Sequence, residues 1–236
     1  YKTKYSKDQL SKIIKTERDH IDLSIDAIHL NTIAFGKKND TTFFKTPLVA
    51  IKKPSAAIYR DKSVADDLTI KKLYSRSIRE LPINLTIDSM DIQNGSVTYS
   101  EKLKENKPPG ILSLSDLNLG VSHLSNTYES PMKTTIKVHG TFMKNSPLRA
   151  TWNFDVNKTN DAFHFEGYLG SLMTSNMNVF LTPLLNVELK GEVAETYFEI
   201  NGDGNQSTIN MAQDYEDINV NILNKKNKKL KILSGI

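Results

Sequence analysis

At 236 residues the chain can bury most of its unfolded surface, either as one large β domain or as two small ones. With 38% hydrophobic and 25% charged residues and a net charge of +4, its composition is that of an ordered globular protein, and the charge is too small to argue for nucleic acid. It has no cysteine, which excludes disulfides, thiol nucleophiles and thiolate metal sites, and it contains no run of 18 apolar residues and no signal-peptide pattern.

The opening YKTKYSKDQLSKIIKTERD places Leu10, Ile13 and Ile14 at helical spacing behind Ser6 or Asp8 as N-cap, so residues 1–20 are expected to hold a short amphipathic helix. From residue 21 the period changes to two: Ile21, Leu23 and Ile25 alternate with Asp22, Ser24 and Asp26. A similar decapeptide returns later. IDLSIDAIHL at 21–30 aligns without a gap on INLTIDSMDI at 83–92, which again sets Ile83, Leu85 and Ile87 on one side of a strand. The expected organisation is an N-terminal helix over 1–20, a first β repeat over 21–82 and a second repeat with a β meander over 83–236, joined as one continuous domain.

Pro54 sits inside a strand-like run and predicts an edge or a bend, because proline cannot donate to the ladder. DDLTIKKLYSRSIREL predicts a connector helix near 66–80, ended before Pro82. KENKPPG is a turn, after which Leu112 and Leu114, and past a bulge Leu117, Leu119 and Val121, share a face. TTIKVHGTF puts Ile136, Val138 and Phe142 on one side, and LRATWNFDV does the same with Leu148, Ala150, Trp152, Phe154 and Val156. AFHFEGYLG is a further strand, and Met177, Phe180 and Leu181 predict a short helix near 176–185. VELKGEV, TYFEI, STINMA and DINVNIL are strands, GDGNQ is a hairpin loop, and NKKNKK turns into LKILSGI, past which the native chain is expected to continue.

Catalytic constellations are scarce. The five histidines stand singly, and no nucleophile elbow, phosphate loop or dinucleotide fingerprint occurs. Asp203, Asn205, Ser207 and Asp214 imitate calcium-loop spacing without its glycine or its closing glutamate, so a hairpin turn explains them. Asp22, Asp26, Asp88 and Asp91 fit a solvated sheet face. An enzyme is the least favoured reading, and no cofactor or metal is expected. What remains is a long apolar face that either packs on itself as a sandwich or folds into a groove for apolar chains. Its candidate lining residues are Leu23, Ile25, Leu85, Ile87, Leu112, Leu114, Leu117, Leu119, Ile136, Val138, Phe142, Leu148, Trp152, Phe154 and Val156.

The order RELPINLTIDSMDIQNGSVTYSE, preceded by PSAAIYRDKS and followed by LSLSDLNLGVSHL, resembles the AsmA-like proteins of Gram-negative envelopes, particularly the Bacteroidetes versions. HGTF, FHFEGYLGSLMTSNMNVFLTPLLNVELKGEV, TYFEI and DYEDINVNIL continue the likeness over most of residues 20–223. The resemblance extends to the wider TamB-like and bridge-like lipid transfer superfamily. It implies a mostly β fold, a long twisted antiparallel sheet curled like a taco into an apolar groove. It also implies a periplasmic lipid-binding or lipid-transfer role without catalysis, with phospholipid or another acyl-chain lipid as partner. Members are tethered to the inner membrane by an N-terminal helix that this chain lacks, so the tether is expected upstream of Tyr1. The competing expectation is a structural or assembly factor for outer-membrane biogenesis, whose apolar face is an ordinary packed core and which recruits envelope assembly proteins.

Overall fold

The computed structural model describes residues 1–224. It is mostly β, with 59% strand and 11% helix, and its thirteen strands form one mixed sheet that is not closed into a barrel. In chain order the elements are α1 (Lys7–Ile13), β1 (Asp19–Ser24), β2 (Ala27–Asn31), β3 (Ala34–Lys38), β4 (Thr41–Lys52), β5 (Ser55–Asp61), α2 (Tyr74–Arg79), β6 (Asn84–Lys102), β7 (Gly110–Ser125), β8 (Thr134–Phe142), β9 (Ser146–Phe154), β10 (Phe163–Leu169), β11 (Leu172–Met173), a 3-10 turn (Thr174–Met177), α3 (Asn178–Leu185), β12 (Val187–Gly202) and β13 (Ser207–Ile222).

Several of these strands are pieces of one longer strand. β1, β2 and β3 run in succession against β5 and β4, which are themselves one strand broken at Lys53 and Pro54. Pro54 therefore marks a bend within the sheet and not an edge. β10 and β11 lie in line along β12. The lanes across the sheet are thus β1/β2/β3, β4/β5, β6, β7, β8, β9, β10/β11, β12 and β13. The expectation of an antiparallel sheet needs one correction: β4 and β5 both pair parallel with β6, while the other pairs are antiparallel. The hairpin of β3 and β4 turns through Asn39 and Asp40, both left-handed, the geometry of a type I′ turn.

Parallel strands cannot be joined by a tight turn, so residues 62–83 form a crossover from β5 to β6. Its helix is shorter than the expected 66–80. Only Tyr74–Arg79 is helical, because Leu68 and Ile70 are 88% and 94% exposed and give a helix nothing to pack on. Asp67 also accepts the Thr69 N–H at 3.2 Å, a local turn that competes with the helix. α1 is likewise confined to seven residues of the 1–20 expectation, capped by a reciprocal Ser6 and Gln9 box, with Leu10 buried and Ile13 exposed. The expected helix near 176–185 is present as the 3-10 turn and α3. VELKGEV and TYFEI merge into the single strand β12, and STINMA and DINVNIL into β13. The basic turn NKKNKK and the final LKILSGI lie outside the described residues, apart from Asn224.

Candidate functional site

Strand pairing decides which side chains share a face, because cross-strand partners point the same way and neighbours in sequence point oppositely. Following the partners from lane to lane gives the row Leu30, Val49, Met90, Val121, Ile136, Trp152, Phe165, Ile200 and Ile209. The next row is Ile28, Ile51, Ile92, Leu119, Val138, Ala150, Gly167, Phe198 and Met211. Neither row contains a polar side chain. Two shorter rows widen the stripe: Leu23, Ala56, Val97, Leu114 and Phe142, then Ile21, Ile58, Tyr99 and Leu112. Eight lane spacings of about 4.8 Å make the stripe about 38 Å long.

The stripe is only partly covered, with Val49 and Val121 buried within it. Most of its residues are half-buried, and the accessible surface of 15224 Å² exceeds the roughly 10,700 Å² expected of a compact monomer of 26.6 kDa. Three bulged sites, at Asn94, Asp116 and in the β12–β13 pair, add local bend to the lanes. α3 closes one end: it packs against both β7 and β12, although three lanes lie between those strands in the sheet order. The sheet therefore curls toward this face. Beneath the 3-10 turn, Met143, Leu172 and Val193 form a buried cluster, with Leu112, Phe142, Leu169, Met177 and Ile218 around it. Asn178 stands in for a strand partner, donating to the Leu189 carbonyl at 2.9 Å and accepting its N–H at 2.7 Å.

The crossover lands at the opposite end of the same face. Tyr74 meets Trp152 edge to face, and Phe154, Phe163 and Phe165 surround the indole at centroid distances of 5.7 to 6.3 Å. α2 is fixed by Ser75 and Arg79, each donating to Asp161 at 2.9 Å, and by Arg79 donating to the Val156 carbonyl at 2.7 Å. A concavity of about 580 Å³ opens along β9, β10, β12 and β13 mainly on the opposite, back face, where it is lined by the cross-strand rows Arg149, Tyr168, Tyr197 and Ala212 and Thr151, Glu166, Glu199 and Asn210. Phe198 stacks on Phe165 at 5.7 Å and covers Gly167 so closely that a Cβ there would lie 2.3 Å from its ring.

The expected lining residues divide into two groups. Leu23, Leu112, Leu114, Leu117, Leu119, Ile136, Val138, Phe142, Leu148, Trp152 and Phe154 all belong to the channel face. Leu85 and Ile87 do not. β6 runs without a break through Asp88, so its even-numbered residues Met90 and Ile92 face the channel and Leu85 and Ile87 face the back, beside the fully buried Thr46. Ile25 falls in the gap between β1 and β2 and is 37% exposed. Val156 lies past the end of β9, buried in the loop that receives α2. The channel also takes residues outside the expected set, notably Ile28, Leu30, Val49, Met90, Phe165 and Phe198, whose alternation was visible but whose facing depends on the register.

Polar groups sit at the two margins. Asp88, expected on the wet side, is on the channel side, where it accepts from the Tyr128 hydroxyl; burial, and then that bond, push the hydroxyl up to about 12. At the other margin Tyr99 donates to Glu101 at 2.5 Å, and burial followed by that bond raise its pKa as well. His139 and His164 lie on the back face, as the alternation predicts. Asp203 accepts the N–H groups of Asn205 and Gln206 at 2.8 and 3.0 Å, the geometry of a hairpin turn. Among the described residues no cluster of three metal-ligating side chains occurs, and no helix is long and apolar enough to cross a membrane. Compared with protein-family models and with curated proteins, the sequence matches none.

Proposed function

We propose that this protein is a lipid-binding or lipid-transfer module of a Gram-negative envelope, working without catalysis in the periplasm. In this reading acyl chains lie along the channel face. The observation that carries it is the pair of uninterrupted apolar rows that cross every lane, with most of their residues only half-buried. An apolar patch of that extent is costly to leave in water and normally marks a binding surface. Its length of about 38 Å exceeds one leaflet's acyl depth of about 15 Å, half of the bilayer core. The AsmA-like resemblance of residues 20–223 supplies the envelope setting and the choice of phospholipid.

A structural or assembly role is favoured by a different observation, the closed cluster of Met143, Leu172 and Val193, which is ordinary core. The experiment that separates the two is lipid extraction and native mass spectrometry of the purified protein, followed by titration with phospholipid. Bound or acquired phospholipid supports the channel reading. A protein that is clean as purified and ignores added lipid overturns it.

A further inference from the structure

The channel has a charged mouth that the acyl-chain reading leaves unused. Beyond the row of Ile21, Ile58, Tyr99 and Leu112, the next cross-strand row on the same face is Asp19, Arg60 and Glu101. Arg18 leaves the β1 terminus here and pairs with Asp67 of the crossover, so the crossover forms the outer wall. Between them lies a cavity of about 300 Å³ lined by Glu17, Arg18, Asp19, Arg60, Asp67 and Lys71.

The composition of this cavity is balanced, with three cations and three anions. Two ion pairs build its frame: Arg18 with Asp67, and Arg60 with Asp19, the latter bidentate at 2.8 Å for both bonds. The remaining two charges are of opposite sign. Among the described residues no hydrogen bond and no ion pair within 4 Å engages the side chain of Glu17 or of Lys71, although the Glu17 charge acts on Arg60 from farther off. A site offering one free carboxylate and one free ammonium suits a ligand that carries both a cation and an anion. A purely anionic ligand would leave Glu17 facing like charge, which disfavours binding.

Resting on the channel reading, we infer that this cavity holds a zwitterionic lipid headgroup, a phosphate ester bearing an ammonium, while the acyl chains of the same lipid run inward over Ile21, Ile58 and Leu23. Lys71 and Arg60 face the phosphate and Glu17 faces the ammonium. The apolar rows bind chains of any lipid, and the mouth selects among heads.

The test uses three lipids with identical acyl chains: phosphatidylethanolamine, phosphatidylglycerol and diacylglycerol. They compete for the full chain, and uptake is read by native mass spectrometry. The wild-type protein should favour phosphatidylethanolamine by about two- to fivefold, the range that half-exposed charge pairs support. Glu17→Lys, which makes the mouth net positive, should turn that preference toward phosphatidylglycerol. Lys71→Glu should lower both phosphate-bearing lipids relative to diacylglycerol. Glycerophosphoethanolamine, which has the head without chains, should fail to compete at equal concentration. Equal uptake of the three lipids, or a preference unmoved by Glu17→Lys, overturns the headgroup assignment and leaves the channel reading intact. Effective competition by the chain-free head overturns a lipid source for the ligand. Uptake of no lipid at all overturns both readings.

Discussion

The ring of Tyr74 stands edge-on to the indole of Trp152, with centroids 5.2 Å apart and planes at 79°, so the crossover between two parallel strands rests on the floor of the channel. Tyr74 is itself 63% exposed, and the indole N–H beneath is buried without a hydrogen-bond partner. The contact is therefore a cover over an aromatic floor more than a structural keystone.

Tyr74→Ala should uncover that floor. The emission of Trp152, the one tryptophan of the chain, should shift to the red and become easier to quench with iodide or acrylamide. An edge-to-face pair contributes about 0.5–1.5 kcal/mol beyond its area, so the melting temperature should fall by a few degrees at most. Unchanged emission and quenching would mean that Tyr74 does not shield the indole in solution.

The two faces of the sheet should respond differently to a charge. Val138 lies half-buried in the second channel row, where a lysine head can reach water, so Val138→Lys should keep the fold and, on the proposed lipid-binding reading, should lower lipid uptake. Ile87 is 7% exposed on the back face, and Ile87→Lys should cost several kcal/mol and unfold a large fraction of the protein. Chemical denaturation and lipid extraction of both variants make the comparison. Equal destabilisation by the two would argue that the channel face is closed in solution.

The contrast between Leu23 and Leu85 shows how far the sequence carries. Both occupy the same place in the repeated decapeptide, and in both copies the apolar spacing slips phase after the conserved Ile and Asp. In the first copy the chain breaks at Ile25 and Asp26, so Leu23, Ile28 and Leu30 all face the channel. In the second copy β6 continues unbroken, and the slip sends Leu85 and Ile87 to the back. A local pattern cannot tell a broken strand from a continuous one, because a one-residue slip exchanges the faces and the choice lies in distant pairing. The bulge beside Asp116 was legible because Leu114 and Leu117 announce it directly. The parallel pairing of β4 and β5 with β6 was not, since nothing in period-two alternation encodes the direction of a neighbour. The charged mouth escaped for the same reason: Glu17, Arg60 and Lys71 are far apart in sequence and meet through the fold.

Gly110 should be intolerant where Gly120, on the same strand, is tolerant. A Cβ at Gly110 would lie 2.7 Å from both Leu184 Cγ and the Phe180 carbonyl of α3, whereas one at Gly120 would meet nothing within 4 Å. Gly110→Val should push α3 off β7 and cost about 1–3 kcal/mol, the usual penalty of overpacking. Gly120→Thr should be neutral or slightly stabilising, because a β-branched residue suits a strand better than glycine. Limited proteolysis around residues 178–185 and thermal melts of the two variants check this. Equal stability of the pair would show that α3 does not seat on Gly110.

Asp155 should set part of the acid limit of stability. It is 4% exposed, and it accepts the Ser130 hydroxyl at 2.6 Å and the Asn157 N–H at 2.9 Å. Burial alone would raise its pKa, but these hydrogen bonds outweigh it and hold the carboxyl below the usual carboxylate range. A folded pKa below the unfolded value of about 3.9 means that its stabilisation is fully present above roughly pH 4 and is lost as pH falls through the folded pKa. Asp155→Asn removes the charge with little change of shape and should cost about 1–3 kcal/mol at neutral pH. In urea denaturation, the gap between wild type and Asp155→Asn should stay constant from about pH 7 to about pH 5 and narrow below about pH 4. A gap that stays constant into strong acid, or one that widens there, would show that the ionised carboxylate is not what the Ser130 and Asn157 contacts stabilise.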